Sequence, residues 1–303
     1  MPSKRIFVTG AAGLIGSALL EAARFDGVES VRGLSRGTRQ ASDGVEWVRG
    51  DLEDLAPWKS QLEGCDAVIH LGASTGRASA AEHMRVNAQG TQALIRAARD
   101  VGVPRFVFVS TIAAAYPEVD RYPYAASKRS AEEAVRASAL GWTILRPTIV
   151  LGTSGGVGPG LVSFARRGRT PLFGEGSVRI QPIGARDTGR LILEALREDS
   201  TIGETIDLGG PDALTFREFL RRLRAAAGRK PEGFLRLPLG LAMNVAWAFE
   251  RAIGPRLPVL AGQLYAFRYD STVRRSAFLD ARMPKIVRVD ALIEELTRGA
   301  GRG

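Results

Sequence analysis

Tyr124 and Lys128, four residues apart in Tyr124-Ala-Ala-Ser-Lys128, are side chains that together can move a proton. On a helix, positions i and i+4 share a face, so the phenol and the ammonium reach one cleft. A free phenol keeps its proton to about pH 10, and a neighbouring cation is expected to lower that value toward working pH. The tyrosine then becomes a usable general acid or base. Thr111, just past the apolar run at 105–110, is a candidate to hold the same substrate oxygen, and Asn87 to anchor a water chain to the lysine. The same spacing alone would equally suit a surface helix, so the residues upstream decide.

Upstream, Gly10, Gly13 and Gly16 stand in TGAAGLIG, between the apolar run RIFVT and a helical pattern that reaches Leu20. Gly10 permits a tight turn, Gly13 lets backbone approach a pyrophosphate, and Gly16 allows close helix–strand packing. The helix that follows offers unpaired N–H groups and a partial positive charge to a phosphate. Ala12, Leu14 and Ile15 complete this loop and are expected at the nucleotide. A second strand ends at Ser35-Arg36, with Arg39 nearby, where an NAD site usually carries Asp or Glu for the ribose 2′-hydroxyl. A guanidinium instead binds a 2′-phosphate, which a carboxylate would repel. NADP(H) is therefore favoured, with NAD(H) still open. Asp51 and Leu52 follow the third strand and are expected at the adenine. Leu71, Gly72 and Ala73 follow the fourth and are expected against the middle of the cofactor.

The elements that position these residues alternate. Strand patterns at 5–9, 28–35, 44–48, 66–71, 105–110 and 142–146 are separated by helical stretches near 54–63, 78–100 and 124–139. This order predicts βαβ units and an α/β fold with a doubly wound parallel sheet covered on both faces. After about residue 150 the pattern changes to the Gly-rich 152–160 and to helical segments at 215–227 and 239–253. Residues 1–150 thus form the expected NADP-binding domain and 151–303 a smaller substrate-capping region, whose strand near 204–208 returns to the main sheet. Phe234, Met243, Trp247 and Phe249 are candidates to roof an apolar pocket.

The 303 residues are 45% hydrophobic and 24% charged, an ordinary globular balance. Net charge is +10, and 37 of the 42 basic residues are arginines spread along the chain. No basic stripe is interleaved with aromatics, so nucleic acid is not the expected partner. One cysteine, Cys65, and two histidines, His70 and His83, assemble neither a disulfide nor a zinc cluster. Leu237 to Phe249, interrupted by Asn244, falls short of the ~20 apolar residues that span a bilayer. With a strand pattern beginning at Arg5 and no room for a signal peptide before it, a cytoplasmic protein is expected.

TGAAGLIG, GDL at 50–52, VIHLGA at 68–73, VNAQGT at 86–91, FVFVST at 106–111, YAASK at 124–128 and LRPTIVLG at 145–152 occur in one order. In this combination the chain resembles the extended short-chain dehydrogenase/reductase family, including its epimerase/dehydratase-like members, over about residues 1–220. The resemblance implies a Rossmann-type fold and a small-molecule substrate. It also implies Tyr124 as acid/base, Lys128 as its activator and nicotinamide-ribose anchor, Thr111 beside the substrate oxygen, Asn87 as relay and Pro147 at the cofactor. A homodimer is compatible with it.

One departure bears on substrate. Sugar-nucleotide members carry an amide where this chain has Ile149, and an isoleucine makes no hydrogen bond to a diphosphate. RPTIVLG resembles instead the hydroxysteroid dehydrogenase and dihydroflavonol reductase branches, whose substrates are apolar ketones. The expected function is an NADP-dependent oxidoreductase acting on an apolar or aromatic carbonyl. A sugar-nucleotide epimerase or dehydratase, with Arg146 and Arg179 free to bind a diphosphate, remains the alternative. A non-catalytic NADPH-binding sensor or scaffold is a third.

Overall fold

The computed structural model describes residues 5–25, 28, 30–39, 44–253 and 261–299. The apolar runs of the first half pair as β1 (Arg5–Thr9), β2 (Ser30–Ser35), β3 (Val45–Arg49), β4 (Ala67–His70), β5 (Arg105–Val109) and β6 (Gly141–Pro147). With β7 (Thr205–Leu208) they make one seven-stranded sheet in the order β7-β6-β5-β4-β1-β2-β3, every neighbouring pair parallel. A parallel sheet needs cover on both faces, and the sequence of β5 supplies it: Phe106, Val107 and Phe108 are all fully buried.

The covering helices are α1 (Leu14–Phe25), α2 (Gly90–Asp100), α3 (Pro123–Arg136), α4 (Gly158–Arg166) and α5 (Ala185–Arg197). Leu19, Leu20 and Ala23 of α1 and Leu191, Ile192 and Leu193 of α5 fill one face. Leu94, Ile95 and Ala98 of α2 and Ala131 and Val135 of α3 fill the other, together with Cys65. A smaller core joins α4 to α6 (Phe216–Ala226) and to a later helix, through Val162, Phe219, Leu220, Leu223, Leu292 and Leu296. Thr215 starts α6 by accepting the Glu218 N–H at 3.1 Å, so the Thr-x-x-Glu pattern works as a helix cap. The order of strands reverses between β1 and β4, which opens a crevice at their C-terminal ends.

Two local readings need correction. Residues 54–63 do not form an α-helix; only Lys59–Leu62 winds, as one tight turn. Side chains compete for the backbone there: Asp51 accepts the N–H groups of Glu53 and Asp54, and the Trp58 indole donates to the Asp51 and Asp54 carbonyls. The stretch at 78–100 is helical from Ala80 to Asp100, as expected, with one irregularity. Ala80–His83 leads into a wide π-helical turn, Met84–Gln89, before α2 begins. Finally, α7 (Leu239–Ile253) turns large apolar side chains outward: Leu241, Val245, Trp247 and Phe249 are exposed and Ala246 is buried, while Glu250 lines a cavity. Among the described residues no helix is long and apolar enough to cross a membrane. The last helix is α8 (Val289–Gly299).

Close approach of α1 and α5 depends on Gly189, where a Cβ would stand 2.7 Å from the Leu19 nitrogen. Gly189→Ala is expected to destabilise the fold by about 1–3 kcal/mol through overpacking. Gly160 of α4 has nothing within 4 Å of the same position, so Gly160→Ala should be neutral or stabilising. Urea midpoints of the two variants check this.

Candidate active site

Pro123 occupies the first turn of α3, where its missing N–H costs nothing. The helix therefore starts just before Tyr124 and places that side chain at the sheet's C-terminal edge. Tyr124 is partly buried, its ring edge-on to His83 with centroids 5.7 Å apart and tilted against Tyr122 at 5.8 Å. A cavity of 170 Å³ opens beside it, lined by His83, Tyr122, Tyr124, Ser79, Glu250 and Gln263 among others. Lys128, one turn on, is buried; its ammonium donates to the Val109 carbonyl at 2.7 Å and lies 4.1 Å from the centre of the Phe108 ring. Thr111 follows β5, and its hydroxyl oxygen accepts the Ala113 N–H at 3.3 Å.

Asn87 is buried in the π-helical turn and holds two elements together. Its Oδ1 accepts the Ser74 N–H at 2.7 Å, and its Nδ2 donates to the Ser74 carbonyl and the Ser127 hydroxyl, both at 3.0 Å. Ser127 in turn donates to the Tyr124 carbonyl at 2.7 Å. The amide thus ties the loop after β4 to the turn of α3 that carries Tyr124.

A second buried line starts one strand away. Thr91 donates to the Asn87 carbonyl at 2.5 Å, so its oxygen accepts from His70 Nε2 at 2.8 Å. His70 Nδ1 then accepts from Thr9 at 2.6 Å, and Thr9 accepts the Gly72 N–H at 3.0 Å. Burial, aided by the Lys128 charge, holds His70 well below the ordinary histidine range, which keeps it neutral as this pattern requires.

The residues expected to hold a dinucleotide fit one on backbone grounds. Gly10 has φ +68, and a Cβ there would stand 2.7 Å from the Gly72 nitrogen. A Cβ at Gly16 would meet the Gly10 and Ala11 carbonyl oxygens. Two glycines thus bring the turn, α1 and the Leu71-Gly72-Ala73 segment together, with no acidic side chain in the first turn of α1. Ala12 and Gly13 sit on this turn, Ile15 packs on the core, and Leu14 reaches across to Gly156. Ser35 is buried at the end of β2, Arg36 is exposed just beyond it, and Arg39 stacks on Trp47 at 5.0 Å. Asp51 caps its own turn, while Leu52 packs beneath Gly72 and Gly90. Pro147 ends β6, buried.

The electrostatics correct two expectations. Burial pushes the Tyr124 phenol up to about 12 rather than down, while the Lys128 ammonium donates to the Val109 carbonyl. Burial also brings Lys128 down to about 7, against the opposing pull of Glu132. Arg146 is not free to bind a diphosphate: its Nε and Nη2 donate to the fully buried Glu132 carboxylate at 2.8 and 2.6 Å. Arg179 is exposed, and its backbone N–H is held by Asp270.

The sequence reading missed His83, Ser74 and Glu132. His83, Asn87 and Thr91 recur every fourth residue, a polar row on one helical face that signals a buried network.

Lys128 generates a stability prediction. Its folded value lies below the unfolded one, so its burial opposes folding fully below pH 7 and is relieved as pH rises toward 10.5. Lys128→Met should therefore raise Tm, and by more at pH 6 than at pH 9; thermal melts at the two pH values check it.

A profile of the NAD dependent epimerase/dehydratase family matches residues 6–209. A 2-alkyl-3-oxoalkanoate reductase of Stenotrophomonas maltophilia is 31% identical over 74% of this chain and 76% of its own length. A ceramide reductase of Caulobacter vibrioides is 30% identical over 77% of this chain and 73% of its own. The dTDP-glucose 4,6-dehydratase DesIV of Streptomyces venezuelae, solved with NAD and TYD bound, aligns at TM-score 0.69 and 27% identity over 87% of this chain and 96% of that one. With its glycine turn, switch-point crevice and Tyr–Lys helix, the chain belongs to the NAD-dependent epimerase/dehydratase family of extended short-chain dehydrogenases/reductases, whose members are NAD(P)-dependent oxidoreductases.

Proposed function

We propose that the protein is an NADP(H)-dependent reductase of an apolar or aromatic ketone, or the dehydrogenase of the corresponding alcohol. One observation carries the reading: the cavity beside Tyr124 has no lysine or arginine among its described lining residues, in a chain with 37 arginines. A sugar diphosphate needs such groups to replace its lost hydration. Two further points support the same choice. Arg146 is committed to Glu132, and Ile149 packs on the smaller core. Relatives named as reductases of a 2-alkyl-3-oxoalkanoate and of a ceramide favour a carbonyl carried on an apolar body. The lone, buried Cys65 fits a reducing, cytoplasmic setting.

When bound, the nicotinamide supplies or accepts hydride at the carbonyl carbon. The chain's part is to hold the oxygen and manage the proton. Thr111 donates its O–H to the carbonyl oxygen while its own oxygen keeps the Ala113 N–H. Tyr124, protonated across the neutral range, gives its proton to that oxygen during reduction. Lys128 anchors the nicotinamide ribose. NADP(H) is preferred because Arg36, exposed at the end of β2, pairs with no carboxylate among the described residues.

NADPH oxidation measured against a panel of ketones and aldehydes tests the reading. Ketone-dependent oxidation is expected, with no micromolar binding of UDP or dTDP by calorimetry; such binding with no ketone turnover would contradict it. Tyr124→Phe should lower kcat by about 100-fold or more and leave the NADPH Kd within about twofold. NADPH should bind at least about tenfold more tightly than NADH, about 1.4 kcal/mol, and Arg36→Ala should remove most of that difference in a fluorescence titration.

A further inference from the structure

We infer that His83 reads the substrate: its Nε2 accepts a hydrogen bond from an O–H or N–H carried next to the reacting carbonyl, so the substrate is an uncharged hydroxy- or amido-ketone. This rests on the reductase reading above and narrows it.

His83 is 3% exposed, yet it lines the cavity beside Tyr124 and meets that ring edge-on, with centroids 5.7 Å apart. Its Nδ1 lies 3.2 Å from the Ser74 carbonyl. A carbonyl only accepts, so Nδ1 carries the hydrogen, and in the neutral ring Nε2 is left as a lone pair. Burial favours that neutral ring, outweighing the Ser74 carbonyl and Glu82, which act in the other direction. No hydrogen bond to Nε2 is present among the described residues.

The orientation is fixed from behind. Ser74, which holds Nδ1, is itself gripped at both N–H and C=O by the Asn87 amide, and its hydroxyl donates to Glu82 at 2.9 Å. Asn87 reaches Tyr124 through Ser127. One amide thereby positions both the proton donor for the carbonyl oxygen and an acceptor on the neighbouring ring. Both rings line the same cavity, so a substrate oxygen at Tyr124 brings its neighbouring carbon toward His83.

The rest of the lining agrees on charge. Ser79, Gln263 and two tyrosines are neutral, and Glu250 is a carboxylate. A substrate carrying its own carboxylate or phosphate would meet no lysine or arginine among the described lining residues. A site built to accept from a hydroxyl discriminates strongly against the analogue that lacks it, because its own polar atom is then left unpaired.

Three soluble probes test this: 2-hydroxyacetophenone, 2-methoxyacetophenone and acetophenone, each reduced with NADPH. The wild type should favour the hydroxyketone over both others by about tenfold or more in kcat/KM, mainly through KM. His83→Phe keeps a ring of similar size and removes the acceptor, so the preference should fall to within about twofold of one. His83→Gln, whose amide oxygen can stand near the Nε2 position, should restore part of it, which a merely structural role would not do. Turnover of all three ketones without preference, or a preference that survives His83→Phe, overturns the inference and leaves the reductase reading intact. Turnover of none, within the wider panel as well, removes both.

Discussion

Thr9, His70, Thr91 and Asn87, buried above the C-terminal ends of β1 and β4, have to find partners inside the protein, and one directed line of hydrogen bonds supplies them. The line runs from the Gly72 N–H through Thr9, His70 and Thr91 to the Asn87 carbonyl. From the Asn87 side chain it branches to Ser74 and, through Ser127, to Tyr124. Because Thr91 donates to a carbonyl, each earlier step has only one possible direction, and His70 has only one tautomer that satisfies both neighbours. The segment expected along the cofactor and the helix that bears Tyr124 are thereby held in one frame. The π-helical turn is part of it, since it carries Asn87 between its partners.

Below this line lies a second buried polar group with a different task. Glu132 is fully buried one turn beyond Lys128 and takes both arms of Arg146. Burial raises the Glu132 carboxyl, but hydrogen bonds and charge, those of Arg146 foremost and Arg136 among them, outweigh it and hold the group below the usual carboxylate range. Glu132 stays ionised and favours the Lys128 ammonium, which burial disfavours. Tyr124 has no comparable countercharge among the described residues, and its phenol keeps its proton. On the proposed reading, a phenol that keeps its proton is the acid that reduction of a carbonyl requires.

The sheet and the nucleotide turn were legible in the sequence because backbone constraints write them directly. Gly10 and Gly16 stand where a side chain would strike backbone, and β5 is apolar throughout because both of its faces are covered. The Tyr124–Lys128 spacing was legible for the same kind of reason. What the lysine does with its charge was not, since the Val109 carbonyl is a backbone acceptor that no residue pattern announces. Arg146 looked free until Glu132, fourteen positions away, was seen to hold it. The tight turn at Lys59–Leu62 was hidden by side-chain bonds from Asp51 and Trp58, which periodicity does not register. The outward face of α7 was misread because an apolar sequence does not say which neighbour, if any, covers it.

Hydride transfer onto a ketone carbon, with Tyr124 as proton donor, is the central claim, and isotope transfer tests it most directly. NADPH deuterated at the reactive C4 position is incubated with the protein and 2-hydroxyacetophenone, and the product is analysed by mass spectrometry. One deuterium on the carbinol carbon is predicted, formed in step with NADP+ and lost with Tyr124→Phe. Product without deuterium, or deuterium transfer undiminished in Tyr124→Phe, would contradict the account.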